Sequence, residues 1–165
     1  MSWGRKPKTG DGPEPSAYQR ALGLLVRREH SRKELGRKLA ERGVDPEERD
    51  LALETLRRQD FQNDTRFAAA LARSRSSSGY GPARIRAELS QHGLSRDDVA
   101  AALDACETGW DEAAKQLVQR RYGGKDLKDP TLRRKAVDFL LRRGFEQRCA
   151  YAAVNARPDG DDAGD

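Results

Sequence analysis

The side chains of this sequence that could do chemistry are mostly basic. The 165 residues include 32 Lys and Arg against 27 Asp and Glu, which gives a formal net charge of +5. Basic residues recur at equivalent places along the predicted helices, and a recurring cationic surface attracts polyanions or acidic grooves on other proteins. The candidate contact residues are Arg27, Arg28, Arg32, Lys33, Arg37, Lys38, Arg84, Arg120, Arg121, Arg133, Arg134, Lys135, Arg142 and Arg143.

A solvated helix surface is the alternative interpretation of the same residues. A pair such as Glu34 with Lys38, four positions apart on one helix, would neutralise charge without any partner. The recurrence of the basic positions keeps an interaction face open, with phosphate groups or an acidic protein groove as its target. A base-stacking platform is not expected, because the aromatic residues are dispersed along the sequence. Those considered are Tyr80, Tyr122, Trp3 and Trp110.

No motif for catalysis, cofactor binding or metal binding is recognisable in the sequence. Gly79 and Gly81 precede a predicted helix, but neither Lys-Ser nor Lys-Thr follows, so a permissive turn is favoured over a phosphate loop. Two His and two Cys residues are too few and too widely spaced for a zinc site or a disulfide framework. We therefore expect a non-enzymatic protein with no cofactor and no metal, in which Cys106 and Cys149 are buried free thiols.

The composition predicts an all-helical protein with thin apolar layers. Hydrophobic residues are 36% of the chain and the mean hydropathy is −0.94. Ile85 is the single Ile, and no run of β-branched and aromatic residues suggests a strand. The N-terminal residues lack the apolar core of a signal peptide, and no segment approaches the length of about 18 apolar residues that spans a membrane. These features predict a cytoplasmic protein with no membrane contact.

Three glycines mark an internal repeat. Gly43, Gly93 and Gly144 lie 50 and 51 residues apart, and each follows an amphipathic run. Apolar residues recur at matching positions before and after each glycine, a pattern typical of two helices joined by a tight turn. A first helix is predicted before each such pair, over residues 17–28, 64–75 and 110–122.

We predict three tandem three-helix repeats in an elongated, curved, right-handed array, because one unit alone would bury too little apolar surface. Residues 76–81, Ser-Ser-Ser-Gly-Tyr-Gly, predict a flexible joint inside the middle repeat. The predicted divisions are a disordered basic arm (1–15), repeat 1 (16–62), repeat 2 (63–108), repeat 3 (109–156) and a disordered acidic tail (157–165).

Helix starts and the core are predicted from caps and from apolar spacing. Ser16 and Ser31 each open a capping box, and Asp or Asn residues precede several other helices. The further predicted caps are Asp45, Asn63, Gly81, Ser95, Thr108 and Asp129. The predicted core is Leu22, Leu25, Leu35, Leu39, Leu53, Leu56, Phe61, Phe67, Leu71, Ile85, Leu89, Val99, Leu103, Leu117, Val118, Val137, Leu140, Phe145 and Val154.

Four blocks of the sequence, in order and at suitable separations, resemble the RecX family. Residues 28–44, REHSRKELGRKLAERGV, resemble the family's opening pattern R-x-x-S-x-x-E-L-x-x-K-L-x-x-x-G. Residues 61–68, FQNDTRFA, are similar to its N/D-D-x-x-F-A signature. Residues 79–89, GYGPARIRAEL, resemble its G-x-x-x-I-x-x-E-L segment, and residues 142–145 resemble its closing R-R-G-F. Each block alone is weak, but together they cover the chain from about residue 16 to residue 156.

The resemblance implies a function that composition and spacing do not show. Family members bind the RecA recombinase in the groove of its filament on single-stranded DNA and inhibit its recombinase, ATPase and co-protease activities. In this way they regulate DNA repair and the SOS response, and some also bind DNA directly. We expect a monomer that acts in this way, with an autonomous, non-sequence-specific DNA-binding protein as the alternative. Sequence-specific reading of DNA is disfavoured, because the third helix of repeat 2 is acidic.

Overall fold

The computed structural model describes residues 12–106 and 109–156. In those residues the chain forms nine α-helices and no β-strand, which confirms the all-helical prediction. The helices are α1 (Ala17–Leu25), α2 (Arg32–Glu41), α3 (Pro46–Arg58), α4 (Asp64–Ser77), α5 (Pro82–Gln91), α6 (Arg96–Asp104), α7 (Trp110–Tyr122), α8 (Pro130–Arg142) and α9 (Gln147–Asn155). Most of the predicted arm, the whole predicted tail and the predicted cap Thr108 lie outside the described residues.

Side-chain caps start most of these helices at the predicted residues. The Ser16 hydroxyl accepts a hydrogen bond from the Gln19 backbone N–H, and the Gln19 side chain accepts one from the Ser16 N–H. Ser31 caps α2 through the Glu34 N–H, but the Glu34 carboxylate binds Arg28 instead of completing a capping box. Asn63, Ser95 and Asp129 also cap through their side chains, whereas Asp45 and Gly81 do not.

The three repeat glycines end the second helix of each unit. Their φ angles are +74° at Gly43, +71° at Gly93 and +92° at Gly144, in the left-handed region that suits glycine after a helix. At Gly43 and Gly144 the next residue donates its N–H back to the helix, from Val44 to Leu39 and from Phe145 to Leu140. The second and third helices of a unit are therefore joined by the tight turn that the sequence predicted.

The nine helices form three units, each with its own apolar cluster. Unit 1 contains α1–α3, unit 2 contains α4–α6 and unit 3 contains α7–α9, and in each unit the first helix packs on the third. The equivalent positions four and eight residues before each glycine are completely buried. They are Leu35 and Leu39, Ile85 and Leu89, and Ala136 and Leu140. The three-unit architecture is thus confirmed, while the curvature and the hand of the array stay predictions.

The predicted core is wrong at Phe61. Asp60 adopts a positive φ of 59° directly after α3, and this turn leaves Phe61 49% exposed. The next residue, Gln62, is buried in its place and donates a hydrogen bond to the Asp64 carboxylate. Four other predicted core residues are only partly buried and pack at the margins of their clusters. These are Leu22, Leu25, Leu71 and Leu117.

Two predicted boundaries also change. Helix α1 ends at Leu25, three residues before the predicted end, so Arg27 and Arg28 lie beyond it. Helix α4 continues to Ser77, and the Tyr80 N–H returns to the Arg75 carbonyl, so the first two residues of the predicted joint belong to α4 and a turn follows.

Units 1 and 2 meet through polar contacts. The Asp64 carboxylate accepts hydrogen bonds of 2.9 Å from the Arg32 backbone N–H and from the Gln62 side chain, which ties the start of α2 to the start of α4. Ser31 Oγ lies 2.8 Å from His92 Nδ1, so the cap of α2 also contacts the end of α5. Buried polar groups must be paired to avoid a desolvation cost, and this joint pairs several of them.

Candidate functional site

The positive charge of the chain is concentrated in unit 3. Residues 109–156 contain eleven basic and six acidic side chains, whereas residues 63–108 contain six of each. Nine arginine–carboxylate ion pairs form among the described residues, and all of them lie between residues 14 and 88. The described part of unit 3 contains no ion pair, so none of its basic side chains contacts a carboxylate directly among these residues. Unit 3 is therefore the strongest source of positive potential in the described structure.

Three of the six predicted contact residues of unit 1 form ion pairs within their own unit. Arg28 Nη2 lies 2.5 Å from Glu34, Arg32 lies 3.4 Å from Glu54, and Arg37 pairs with Glu41. The alternative of a solvated, self-neutralised surface thus describes these arginines well, although Glu34 pairs with Arg28 rather than with Lys38. Arg27, Lys33 and Lys38 form no ion pair among the described residues.

Between units 2 and 3, cations and aromatic rings alternate in one stack. The Arg84 guanidinium lies 4.5 Å from the ring centroid of Tyr80, and Arg143 lies 5.1 Å from the same centroid. Arg143 also lies 5.3 Å from the ring of Phe139, which Arg121 approaches to 4.7 Å. Guanidinium groups within about 6 Å of a ring centroid are attracted by the electron-rich face. The stack therefore holds three arginines close together without neutralising them.

Two further cations extend this stack along α8. Lys135 lies four positions before Phe139 and Arg142 lies three after it, so both share the side of α8 that carries that ring. Both are exposed and form no ion pair among the described residues. We call this set the cationic face, and it contains Arg84, Arg121, Lys135, Arg142 and Arg143. It brings together five of the fourteen predicted contact residues from two units.

The remaining predicted residues of unit 3 lie outside the cationic face. Arg133 and Arg134 are exposed on the first turns of α8, and consecutive helix residues point about 100° apart. Arg133 therefore projects away from Lys135. Arg120 lines a cleft of about 490 Å³ between the end of α4 and α7, together with Ser76 and Gln116.

Backbone contacts fix the two halves of the cationic face relative to each other. The Gly81 N–H donates to the Arg143 carbonyl at 2.7 Å, and the Ala83 N–H donates to the Gly144 carbonyl at 3.0 Å. The first turn of α5 thus satisfies carbonyls at the end of α8, where the partial charges of the two helix ends are complementary. Arg143 also donates from its side chain to the Ser78 carbonyl at 3.1 Å. The residues that join units 2 and 3 therefore also position the side chains of the cationic face.

A Cβ atom at Gly81 would not fit in this joint. It would lie 2.5 Å from the Gly144 carbonyl oxygen, well inside van der Waals contact. A Cβ at Gly144 would in turn lie 2.6 Å from that of Arg84. The pair of glycines is what lets α5 approach α8 closely enough to hydrogen-bond.

The sequence interpretation missed the aromatic members of the stack. Tyr80 and Tyr122 are far apart in the sequence, but in the fold Phe139 lies between them, with its ring edge to face with that of Tyr122 at 6.1 Å. The available signal was the alternation of Phe139 with Arg142 and Arg143 along one predicted helix. The partner ring on Tyr80 comes from another unit, which no local pattern reveals.

The pKa shifts of the described side chains have structural causes. The hydrogen bond from Arg57 lowers the pKa of Glu54 to about 2, as expected for a carboxylate held by arginines. Burial raises the pKa of Cys149 to about 12, so this thiol stays protonated. Both cysteines are free and half-buried. No set of three or more His, Cys, Asp and Glu residues with metal-binding geometry occurs in the described ranges.

Burial is the main cause of the lowered pKa of His30, at the joint of units 1 and 2. The imidazole is 3% exposed, and this burial lowers its pKa below the usual 6.5, with Arg28 and Lys38 acting in the same direction against Glu34. Its Nδ1 lies 3.0 Å from the Glu34 carboxylate but lacks hydrogen-bond geometry. Next to it, a cleft of about 540 Å³ separates the units over Phe67.

No helix in the described part of the chain combines the length and apolarity that a membrane crossing requires.

Three consecutive helical units with a cationic joint define a helical-repeat protein, and comparison with known proteins identifies the family. Family models described as the first, second and third three-helix domains of RecX match residues 17–56, 63–103 and 111–154. The chain is 54% identical over 141 residues to the regulatory protein RecX of Xanthomonas axonopodis pv. citri (strain 306), covering 86% of this chain and 87% of the relative. It is 51% identical over 146 residues to that of Stenotrophomonas maltophilia (strain K279a), covering 88% and 90%. The chain belongs to the RecX family.

Solved structures agree with this assignment. A crystal structure of regulatory protein RecX superimposes with a TM-score of 0.67 at 28% identity, over 81% of this chain and 67% of that one. The crystal structure of RecX from Lactobacillus salivarius superimposes with a TM-score of 0.70, over 84% of this chain and 92% of that one. At 23% identity the second comparison supports the fold alone.

Proposed function

We propose that this chain is a cytoplasmic, monomeric negative regulator of the RecA recombinase that performs no catalysis. It binds the groove of the RecA filament on single-stranded DNA and inhibits strand exchange, ATP hydrolysis and co-protease activity, thereby regulating DNA repair and the SOS response. Membership of the RecX family carries the proposal. The cationic face supports it by offering a contact surface whose five basic side chains form no ion pair with any described residue.

Multiple weak contacts explain how such a protein restrains a filament. An exposed ion pair contributes only about 0–1 kcal/mol, so no single arginine of the cationic face could hold a partner. Three linked units can contact more than one RecA protomer, and linkage makes each further contact intramolecular. A protein bound across two protomers favours the arrangement that it fits and so disfavours the rearrangements that turnover requires.

Charge reversal on the cationic face tests the proposal. The variant Lys135→Glu/Arg142→Glu replaces two exposed cations of the face, and Lys115→Glu/Arg148→Glu makes the same charge change on exposed positions of the same unit. With each lost contact contributing up to about 1 kcal/mol, we expect the first variant to need about tenfold more protein for half-inhibition of RecA ATPase on single-stranded DNA. The control variant should lie within about twofold of the unchanged protein. Equal inhibition by both variants would remove the cationic face from the mechanism.

An autonomous DNA-binding protein is the second candidate, and the arginines stacked on Tyr80 and Phe139 favour it. Guanidinium groups that lie over rings keep their charge while being restrained in position, and their N–H groups can donate to phosphates. Capture of RecA by the tethered chain after nuclease treatment separates the two candidates. Retention of RecA supports the filament regulator, and complete loss of RecA supports the DNA-binding protein.

A further inference from the structure

The cationic face of unit 3 has a potential counter-charge elsewhere in the sequence. Residues 157–165, Arg-Pro-Asp-Gly-Asp-Asp-Ala-Gly-Asp, follow α9 directly and contain four Asp and one Arg. Their net charge of −3 comes immediately after the unit that has five surplus positive charges and no ion pair among its described residues. By contrast, nine arginine–carboxylate ion pairs of the described residues lie between residues 14 and 88, in and next to units 1 and 2.

The acidic segment 157–165 is long enough to reach the cationic face. Nine residues span up to about 30 Å when extended, and α8, with 13 residues, is about 20 Å long. Helix α9 ends at Asn155 within the same unit and packs on both α7 and α8. The segment therefore starts on the unit that carries four of the five residues of the cationic face.

We propose that the acidic segment 157–165 docks on the cationic face and competes there with external partners. The carboxylates of the segment accept hydrogen bonds from guanidinium groups that Tyr80 and Phe139 hold in place. Each pair is weak, but attachment to α9 gives the segment a local concentration in the millimolar range. An external partner with many anionic groups displaces it, whereas a small anion does not.

Cross-linking in the full-length protein tests the docking. A carbodiimide joins a carboxylate to an amine only where the two are in contact, and Lys135 supplies the amine on the cationic face. We expect cross-links between the segment and Lys135, within one molecule, at least fivefold more abundant than those to the exposed Lys33 of unit 1. A variant with Asp159, Asp161, Asp162 and Asp165 changed to Asn is the control and should lose the Lys135 cross-link. Equal yields at Lys33 and Lys135, cross-links between molecules, or no cross-link in the full chain would each overturn the docking.

Competition gives a second readout. Binding of a fluorescein-labelled ten-nucleotide oligothymidylate should be three- to tenfold tighter for the four-Asn variant at low salt. That gain in affinity should disappear when the four Asp→Asn changes are combined with Lys135→Glu and Arg142→Glu in one protein. An unchanged affinity, or a gain that persists on the reversed face, would refute the competition.

The inference rests on the proposed function only in treating the cationic face as the surface that a partner needs. Neither readout contains RecA, so the two ideas fail separately. Cross-links to Lys135 together with RecA inhibition that ignores the cationic face would contradict the proposed function alone. Inhibition that depends on the face without any cross-link would contradict the docking alone.

Discussion

Substitution of Gly81 by Ala tests whether the joint between units 2 and 3 is rigid. The Gly81 φ is −87°, a conformation that Ala adopts without strain, so any destabilisation must come from packing. The added Cβ would lie 2.5 Å from the Gly144 carbonyl oxygen, and overpacking of this kind costs about 1–3 kcal/mol. If the helices separate instead, the hydrogen bonds from Gly81 and Ala83 are lost, at about 1 kcal/mol each. The two routes together predict a loss of about 1–3 kcal/mol.

Urea unfolding followed by far-ultraviolet circular dichroism measures this loss, and a thermal scan should show a midpoint lowered by about 2–12 °C. Gly23→Ala is the matched control, because Gly23 lies within α1 and a Cβ there meets no atom within 4 Å. The control should be neutral or up to about 1 kcal/mol more stable, since Ala favours helix. A Gly81→Ala protein within about 0.5 kcal/mol of the control would show that the close approach of α5 to α8 is not a constraint.

Two further predictions concern the joint between units 1 and 2. Because burial lowers the pKa of His30, the unfolded chain takes up the proton first as the pH falls. The free energy of unfolding should therefore decrease below pH 6.5 and level off below the folded-state pKa. Urea unfolding from pH 7.5 to 5.0 measures this slope, and a stability that rises on acidification would contradict the burial argument. Asp64→Ala removes the acceptor shared by the Arg32 N–H and the Gln62 side chain and should cost about 1–3 kcal/mol in the same assay, whereas Asp104→Ala, an exposed change at the end of α6, should stay within about 0.5 kcal/mol of the unchanged protein.

Much of the fold was predictable because its signals are local. A serine three residues before Gln19 specifies where α1 starts, and a glycine in the left-handed region specifies where α2 ends, whatever the rest of the chain does. Equivalent apolar spacing around Gly43, Gly93 and Gly144 then indicates three copies of one packing arrangement. Phe61 was mispredicted because hydrophobicity alone does not show that a positive φ at Asp60 turns the next side chain outward.

The candidate site was predictable only in part. Counting charges selected the right class of residue, but it could not separate Arg28, which Glu34 neutralises, from Arg143, which stacks on two rings. That distinction depends on which side chains meet in space. Tyr80 and Phe139 are 59 positions apart in the sequence and are connected only because Arg143 lies between their rings.

The sequence by itself determined the helices, their caps, the threefold repeat and an excess of positive charge, because propensity, capping and periodicity act over a few residues. Only the tertiary structure decided which charges remain available. Docking the first turn of α5 on the end of α8 requires a glycine at each side, and it brings Arg84 of one unit beside Arg143 of the next. Electrostatic compensation depends on distances across the fold, and those distances are set by how the units pack.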